Sequence, residues 1–220
     1  MSGGLLELRD VHFAYEASRP VLRGASLELR AGERVALCGG NGAGKTTLLH
    51  VAVGLLVPSA GEVIAFGEPR RREREFWSVR ARVGLLFQDP DDQLFCPSVA
   101  EDVAFGPLNL GRSPAQARAI AAETLAKLGI AELAERSSEK LSGGEKRLAT
   151  LATVLAMEPE VLLLDEPTLG LDDAAQERLA GLLEGLPQAM CLVSHDRPFR
   201  ARLATRTLAL VQGRVEVDAR

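Results

Sequence analysis

Cysteine and histidine are scarce in this 220-residue chain, and neither is clustered. Cys38, Cys96 and Cys191 are odd in number and far apart, with no C-x-x-C pair. That spacing excludes a disulfide or zinc-thiolate framework and fits a reduced, cytosolic chain. His12, His50 and His195 are equally scattered, so no His/Cys cluster is available to hold a metal. No apolar run approaches the roughly 18 residues that cross a bilayer. The first residues, MSGGLLELRD, lack the basic-then-apolar order of a secretory signal. A basic excess is missing too. A net charge of -4 argues against a surface that binds nucleic acid through bulk charge, so no nucleic acid is expected among the partners. No internal repeat or low-complexity linker interrupts the chain.

What is present is an ordinary globular composition, 46% hydrophobic and 25% charged, long enough for one domain with a subdomain. Leu5–Tyr15 and Val21–Leu29 alternate as half-buried strands. Arg34–Cys38 (RVALC), Val161–Asp165 (VLLLD) and Met190–Ser194 (MCLVS) are short apolar runs of the kind that fill a parallel sheet. GEVIAF, RVGLLF and the terminal TLALVQGRVEV read as further strands. Lys45–Leu56 reads as a helix stopped before Pro58. Ser113 to Gly129 reads as another, with a Ser113/Gln116 capping box, Pro114 in its first turn and a glycine stop. A third begins near Ser142 and runs towards Pro159. The sum is an α/β parallel-sheet core, about 1–88 and 156–220, with a helical insertion at about 89–155.

Gly39–Thr46, GGNGAGKT, matches G-x-x-x-x-G-K-[ST] between a strand and a helix. Glycines let backbone N–H groups of Gly39, Gly40, Asn41, Gly42, Ala43 and Gly44 converge on phosphate oxygens, and the next helix adds its positive end. Lys45 neutralises β/γ charge, and the Thr46 hydroxyl, followed by Thr47, can ligate Mg²⁺. Asp165 and Glu166 end a buried strand, at the edge where open α/β sheets bind ligands. Asp165 can hold Mg²⁺ through water, and Glu166 can act as general base. Ser142-x-x-Glu145 is a capping box, yet Gly143 and Gly144 weaken a first turn. The glycines make sense if that helix end must come close to an anion.

With LSGGE (Leu141–Glu145), VLLLDEP, LGLD (Leu169–Asp172) and SHD (Ser194–Asp196) following the phosphate loop in order, the chain resembles the nucleotide-binding subunits of ATP-binding-cassette proteins over essentially its whole length. The resemblance implies a P-loop NTPase fold: a RecA-like parallel-sheet core, an N-terminal antiparallel β subdomain and an inserted α-helical subdomain. It implies ATP and Mg²⁺ as ligands. Tyr15 would stack on adenine, Gln88 would touch Mg²⁺ or the attacking water, and His195 would contact the γ-phosphate and hold the geometry with Glu166. Ser142, Gly143, Gly144 and Glu145 would cover the ATP of a partner protomer, and Asp172 would cross that interface. The implied active form is a head-to-tail dimer with itself or a related ATPase subunit. Two departures concern tuning: Glu145 stands where glutamine is usual, and Asp173 where proline often follows GLD.

The segment FQDPDDQLFCPSVAEDVAFGPLNLG, Phe87–Gly111, follows no clean helix or strand period. It resembles the energy-coupling-factor branch of ABC importers, especially the cobalt and nickel uptake ATPases. That implies two further partners, a membrane-embedded energy-coupling transmembrane subunit and a substrate-binding membrane subunit, and a place on the cytoplasmic face of the membrane. Phe95, Val99, Val103, Phe105 and Leu108 are candidates for an apolar groove facing a partner helix, or for packing of the helical subdomain itself. Asp91, Asp92, Glu101 and Asp102 are candidates to meet basic partner residues. A vitamin importer, a conventional ABC transporter, a soluble ABC ATPase of translation or DNA repair, and a non-hydrolysing cassette are the competing readings. His12, His50, Arg70–Arg72 and Cys38 are read as structural or solvated.

Overall fold

The computed structural model describes residues 4–217. In chain order the elements are β1 (Leu6–Glu16), β2 (Arg19–Leu29), β3 (Arg34–Cys38), α1 (Lys45–Ala52), β4 (Ala60–Ala65), β5 (Glu68–Arg70), α2 (Trp77–Arg80) and β6 (Val83–Leu86). Then come α3 (Val99–Asn109), α4 (Pro114–Lys127), α5 (Gly143–Leu155), β7 (Val161–Asp165), α6 (Asp173–Glu184), β8 (Ala189–Val193), α7 (Arg197–Leu203), β9 (Arg206–Val211) and β10 (Arg214–Val217). They form two compact units. The first holds the described residues up to Leu85, Glu160–Asp165, and the described residues from Pro187 onward; the second holds Leu86–Pro159 and Glu166–Leu186.

The first unit contains two sheets. An antiparallel sheet runs in the order β2-β1-β4-β5, with Leu6 facing Leu29 and Leu8 facing Leu27. The second sheet has the order β10-β9-β3-β8-β7-β6. Its centre is parallel: β3 pairs with β8 and β9, and β7 with β8. β7 and β8 are buried at every position, which is why VLLLD and AMCLV read as continuous apolar runs without alternation. Leu37, Leu48, Val51, Leu163, Cys191 and Val193 belong to the core between these layers. Together with the helical unit this is the RecA-like P-loop architecture, with its antiparallel β subdomain and helical insertion, that the motifs imply.

Three local readings change. The helix after the phosphate loop ends at Ala52, four residues earlier than the sequence suggests. The chain turns at Gly54, where φ is +70° and a Cβ would lie 2.2 Å from the Phe76 ring. The Arg70–Arg72 run is only partly solvated: Arg70 lies in β5 and donates to the Ala65 carbonyl while pairing with Glu68 at 2.8 Å. Cys38 is half-buried, so it is less enclosed than a purely packing residue would be.

The second unit is a helical body in which α3 packs on α4 and α5. α3 itself is legible only in part. Ser98 caps it by accepting from Glu101 N–H, but the helix carries Pro107 inside and has apolar residues on both faces. Val99 and Val103 are fully buried while Phe105 and Leu108 are exposed, so no single apolar stripe marks the helical period. α4 keeps its expected Ser113/Gln116 capping box and buries Ala117, Ala121 and Leu125.

Gly54→Ala tests the turn. It forces a side chain into the Phe76 ring at a left-handed backbone position, and overpacking of this kind costs about 1–3 kcal/mol. Thermal unfolding of the variant is expected to begin at a clearly lower temperature than that of the parent. An unchanged melting curve would contradict the packing described here.

Candidate nucleotide-binding site

Parallel pairing brings three chemically distinct loops to one edge of the first unit. The C-terminal ends of β3, β8 and β7 lie side by side, with Ala36 against Leu192 and Asp165 against Val193. β3 leads into Gly39–Thr46, β8 into Ser194 and His195, and β7 ends in Asp165. Crevices at such strand ends are where open α/β sheets hold ligands.

The loop after β3 is shaped from both sides. Gly44 has φ +102° and a Cβ there would meet Val21 at 2.7 Å, so the chain's own packing demands glycine. Gly40 is different: a Cβ would meet nothing within 4 Å. Its lack of a side chain leaves open space on the concave side, a cradle that an oxyanion fits. Lys45 is buried and its Nζ donates to the carbonyls of Gly39 and Gly40, at 2.9 and 3.1 Å. An ammonium has three N–H bonds, so two carbonyls leave one for an incoming oxygen. The start of α1 has no side-chain cap, so its first-turn amides and the helix dipole favour a bound anion.

The metal donors also fit. Thr46 lies on α1 and Asp165 on β7, and α1 packs against β7. A hydroxyl and a buried carboxylate are hard oxygen donors of the kind Mg²⁺ takes. Asp165 also faces His50, whose pKa burial pushes down while the carboxylate pulls it back up. His195, after β8, is exposed. Tyr15, on β1, is exposed, which is compatible with the adenine stacking that the resemblance implies. Its ring meets Phe13 edge-on at 5.0 Å, and its hydroxyl lies 3.2 Å from Thr47 Oγ1. Tyr15 is thereby braced on the first turn of α1.

Glu166 opens the second stretch of the helical unit. It is buried and has φ +45°, a left-handed conformation that glutamate seldom adopts. Such strain costs about 1–3 kcal/mol and persists where the surrounding structure fixes a side chain for a task.

In the same unit, the N-termini of α5 and α6 open onto one cavity of about 500 Å³, lined by Ser142, Gly143, Gly144, Glu145 and Asp172 among others. Ser142 and Glu145 form a reciprocal capping box. The Glu145 carboxylate accepts from Ser142 N–H at 2.8 Å, which holds its pKa below the ordinary value, with Arg136 adding to the effect. The glutamate is thus turned back onto its own helix. Asp172 caps α6 through Ala175 N–H at 2.8 Å. Asp173 takes the first helical position, where proline is also favoured, and its charge suits the dipole. The two glycines are not forced by this packing. Cβ atoms at Gly143 and Gly144 would sit 3.6 Å from Gly170 O and 3.4 Å from Ala175 Cβ, ordinary contacts.

Gln88 is exposed, and the segment after it is more tightly built than its sequence suggests. Arg147, 2% exposed, donates to the carbonyls of Phe87 and Gln88, both at 2.9 Å. Gln93 accepts from Phe87 N–H and donates to Thr150 O and Thr153 Oγ1. Neither Arg147 nor Gln93 stood out in the sequence. The available signal was a polar stripe, Lys146, Arg147, Thr150 and Thr153, recurring at helical spacing along α5. Val99 and Val103 are core, the packing alternative of the two readings for these apolar residues. The expectation for two of the acids changes. Asp102 is buried and receives the N–H groups of Phe95 and Cys96, and Asp91 pairs with Lys146. Phe95, Phe105, Leu108 and Leu110 remain exposed, the two rings 4.9 Å apart and edge-on. Asp92 and Glu101 remain exposed with them.

Among the described residues no helix is long and apolar enough to cross a membrane. The family model described as "ABC transporter" matches residues 22–169. A putative ABC transporter ATP-binding protein of Nitratidesulfovibrio vulgaris is 50% identical over 210 residues, covering 95% of this chain and 77% of that protein. The nickel import ATP-binding protein NikO of Rhodobacter capsulatus is 44% identical over 220 residues, covering 95% and 86%. Among solved structures, cbiO1 from Clostridium perfringens, part of the ABC transporter complex cbiONQ, matches with a TM-score of 0.86 at 32% identity, over 98% of this chain and 88% of that one. The dimeric structure of MJ0796, a bacterial ABC transporter cassette, matches with a TM-score of 0.87 at 26% identity, over 96% of each chain. The chain therefore belongs to the ABC transporter family. Within that class it is the ATP-binding and ATP-hydrolysing subunit of an ABC-type transporter, and the family implies ATP with Mg²⁺.

Cys96 offers a check on the segment after Gln88. Burial, aided by the hydrogen bond and charge of Asp102, pushes its thiol up to about 11. Alkylation of Cys96, read by peptide mapping, is expected to be slow at neutral pH and to rise about tenfold per pH unit up to the thiol's pKa, because the thiolate is the nucleophile. A plateau near pH 8 would contradict the Asp102 contact.

Proposed function

We propose that this chain is the ATPase of an energy-coupling-factor importer that moves a transition-metal ion, cobalt or nickel, through separate membrane subunits. The observation that carries this reading is the exposed Phe95–Phe105 pair, with Leu108 and Leu110, on the segment that follows Gln88. Exposed apolar patches with an acidic rim suit an amphipathic helix carrying basic residues, here from the transmembrane subunit. Asp92 and Glu101 supply the rim. The likeness to a nickel import ATPase and to a member of the cbiONQ complex supports the metal-ion assignment. The chain would then sit peripherally on the cytoplasmic face of the membrane, beside a substrate-binding membrane subunit that selects the ion.

The catalytic unit is a head-to-tail dimer, with itself or a related ATPase subunit, and a homodimer closes with C₂ symmetry. The likeness to a dimeric cassette supports it. So do Gly143 and Gly144, which this chain's own packing does not require. Close approach by the partner's bound phosphates accounts for them, with Ser142 and the α5 dipole as donors. Asp172 lies beside them, at the same interface.

In each site the Gly39–Gly44 amides and the Lys45 ammonium take up β/γ-phosphate charge. Tyr15 stacks on adenine, and Thr47 holds its hydroxyl. Thr46, Asp165 and Gln88 would hold Mg²⁺, which when bound neutralises phosphate charge and orients the oxygens. Glu166 takes the proton from the attacking water, and its fixed backbone keeps the carboxylate aimed. His195 contacts the γ-phosphate and Gln88 aligns the water. ATP favours the closed dimer because its γ-phosphate is bound from both sides, and hydrolysis removes that differential contact.

Glu166→Gln is expected to keep ATP binding, lower turnover by at least about a hundredfold and accumulate a dimer on size exclusion with ATP. Turnover at the parent rate would refute the base assignment. Co-expression with candidate membrane subunits is expected to yield a complex that Phe105→Asp weakens, with uptake of labelled cobalt or nickel. Vitamin uptake instead would retain the importer class and remove the metal. No complex, together with ATPase activity stimulated by RNA or DNA, would overturn the transport reading.

A further inference from the structure

We infer that Arg147 couples the two ATP sites of the dimer, by fixing Gln88 of one site to the helix that covers the other. The inference rests on the head-to-tail dimer proposed above. Gln88 reaches the nucleotide bound by its own chain. Ser142, Gly143 and Gly144, at the start of α5, reach the nucleotide bound by the partner. One residue of α5 holds both.

Arg147 lies one turn past Ser142, and Lys146 N–H donates to Ser142 O within that turn. The residue is 2% exposed, and its guanidinium gives one N–H to Phe87 O through Nη1 and one to Gln88 O through Nη2. A planar fork matches two successive carbonyls, a geometry that the point charge of a lysine cannot reproduce. The tie is reinforced along the same helix. Gln93 closes the loop back to Phe87 N–H and anchors on Thr150 and Thr153, and Lys146 meets Asp91 at 2.5 Å. The backbone from Phe87 to Gln93 is thus a hydrogen-bonded extension of α5. The Gln88 side chain itself stays exposed and available to respond to a ligand.

A displacement of the Gln88 backbone therefore cannot be absorbed by the loop and moves the start of α5 with it. Occupancy of one site shifts the cover of the other, and the coupling appears as cooperativity in ATP. Arg147 is a positioning residue here: it acts through Gln88 and the α5 terminus without touching nucleotide.

The test is the ATP dependence of hydrolysis by the intact complex. The parent is expected to show a Hill coefficient approaching about 2, and Arg147→Lys one near 1, since two coupled sites set the upper limit. Circular dichroism and thermal unfolding establish that the variant is folded. Adding Arg147→Lys to Gln88→Ala is expected to change cooperativity no further, whereas a purely structural role would make the two effects add. If Arg147→Lys does not fold, Gln93→Met loosens the same tie from the other end and is expected to lower the Hill coefficient likewise. A folded variant with parent cooperativity, or additive effects in the double variant, overturns the inference and leaves the dimer intact. A parent with a coefficient near 1 whose Glu166→Gln form stays monomeric in ATP refutes the dimer, and the inference falls with it.

Discussion

The candidate phosphate site depends on the parallel pairing of β3, β8 and β7. Parallel strands end on the same edge, so three loops distant in sequence deliver a lysine, a carboxylate and a histidine to one place. The pairing is stabilised by burial of both sheet faces, which is why β7 and β8 carry no exposed residue. Polar chemistry is confined to the strand ends, where backbone geometry changes: Lys45 folds onto loop carbonyls and Glu166 adopts a left-handed conformation. Asp165 is buried at the same edge, between an apolar strand and a turn.

The helical unit solves a different problem. Gln88 is held by its backbone while its side chain stays exposed. Burying the Arg147 guanidinium would be costly on its own, but its donors meet two carbonyls, and hydrogen bonds from charged donors each contribute about 1.5–3 kcal/mol. Asp102 does the complementary work for Phe95 and Cys96, whose amides it receives. Arg147 and Asp102 thus fix backbone, while the Phe95 and Phe105 rings stay at the surface. The same division sorts the acids of the QDPDDQ segment: Asp91 pairs with Lys146, Asp89 caps a short turn through Asp91 N–H, and Asp92 stays exposed.

The legibility of each element followed its chemistry. The phosphate loop was readable because glycine spacing, lysine and flanking elements are all local. The α4 and α5 capping boxes were readable for the same reason, and both form as written. The α1 stop at Ala52 was missed because it depends on Gly54 meeting Phe76, a contact 22 positions away that no local pattern carries. α3 was missed because its two faces bury and expose apolar residues alike. Helix α6 and helix α7 went unmarked although Asp172 and Asp196 cap them, since those acids sit in motifs read for chemistry.

The sequence by itself determined the reaction class, because phosphate binding is written in short runs of glycine, lysine, threonine and acids whose spacing is set by backbone geometry. It also determined that the sheet core is parallel and buried. Tertiary structure alone decided which apolar residues of the Phe87–Gly111 segment face outward, that Asp102 serves the loop beside it, and that Arg147 binds Gln88 to α5. Those outcomes depend on which face of one helix meets another, and a side chain meets backbone carbonyls 59 and 60 positions away only once the chain has folded.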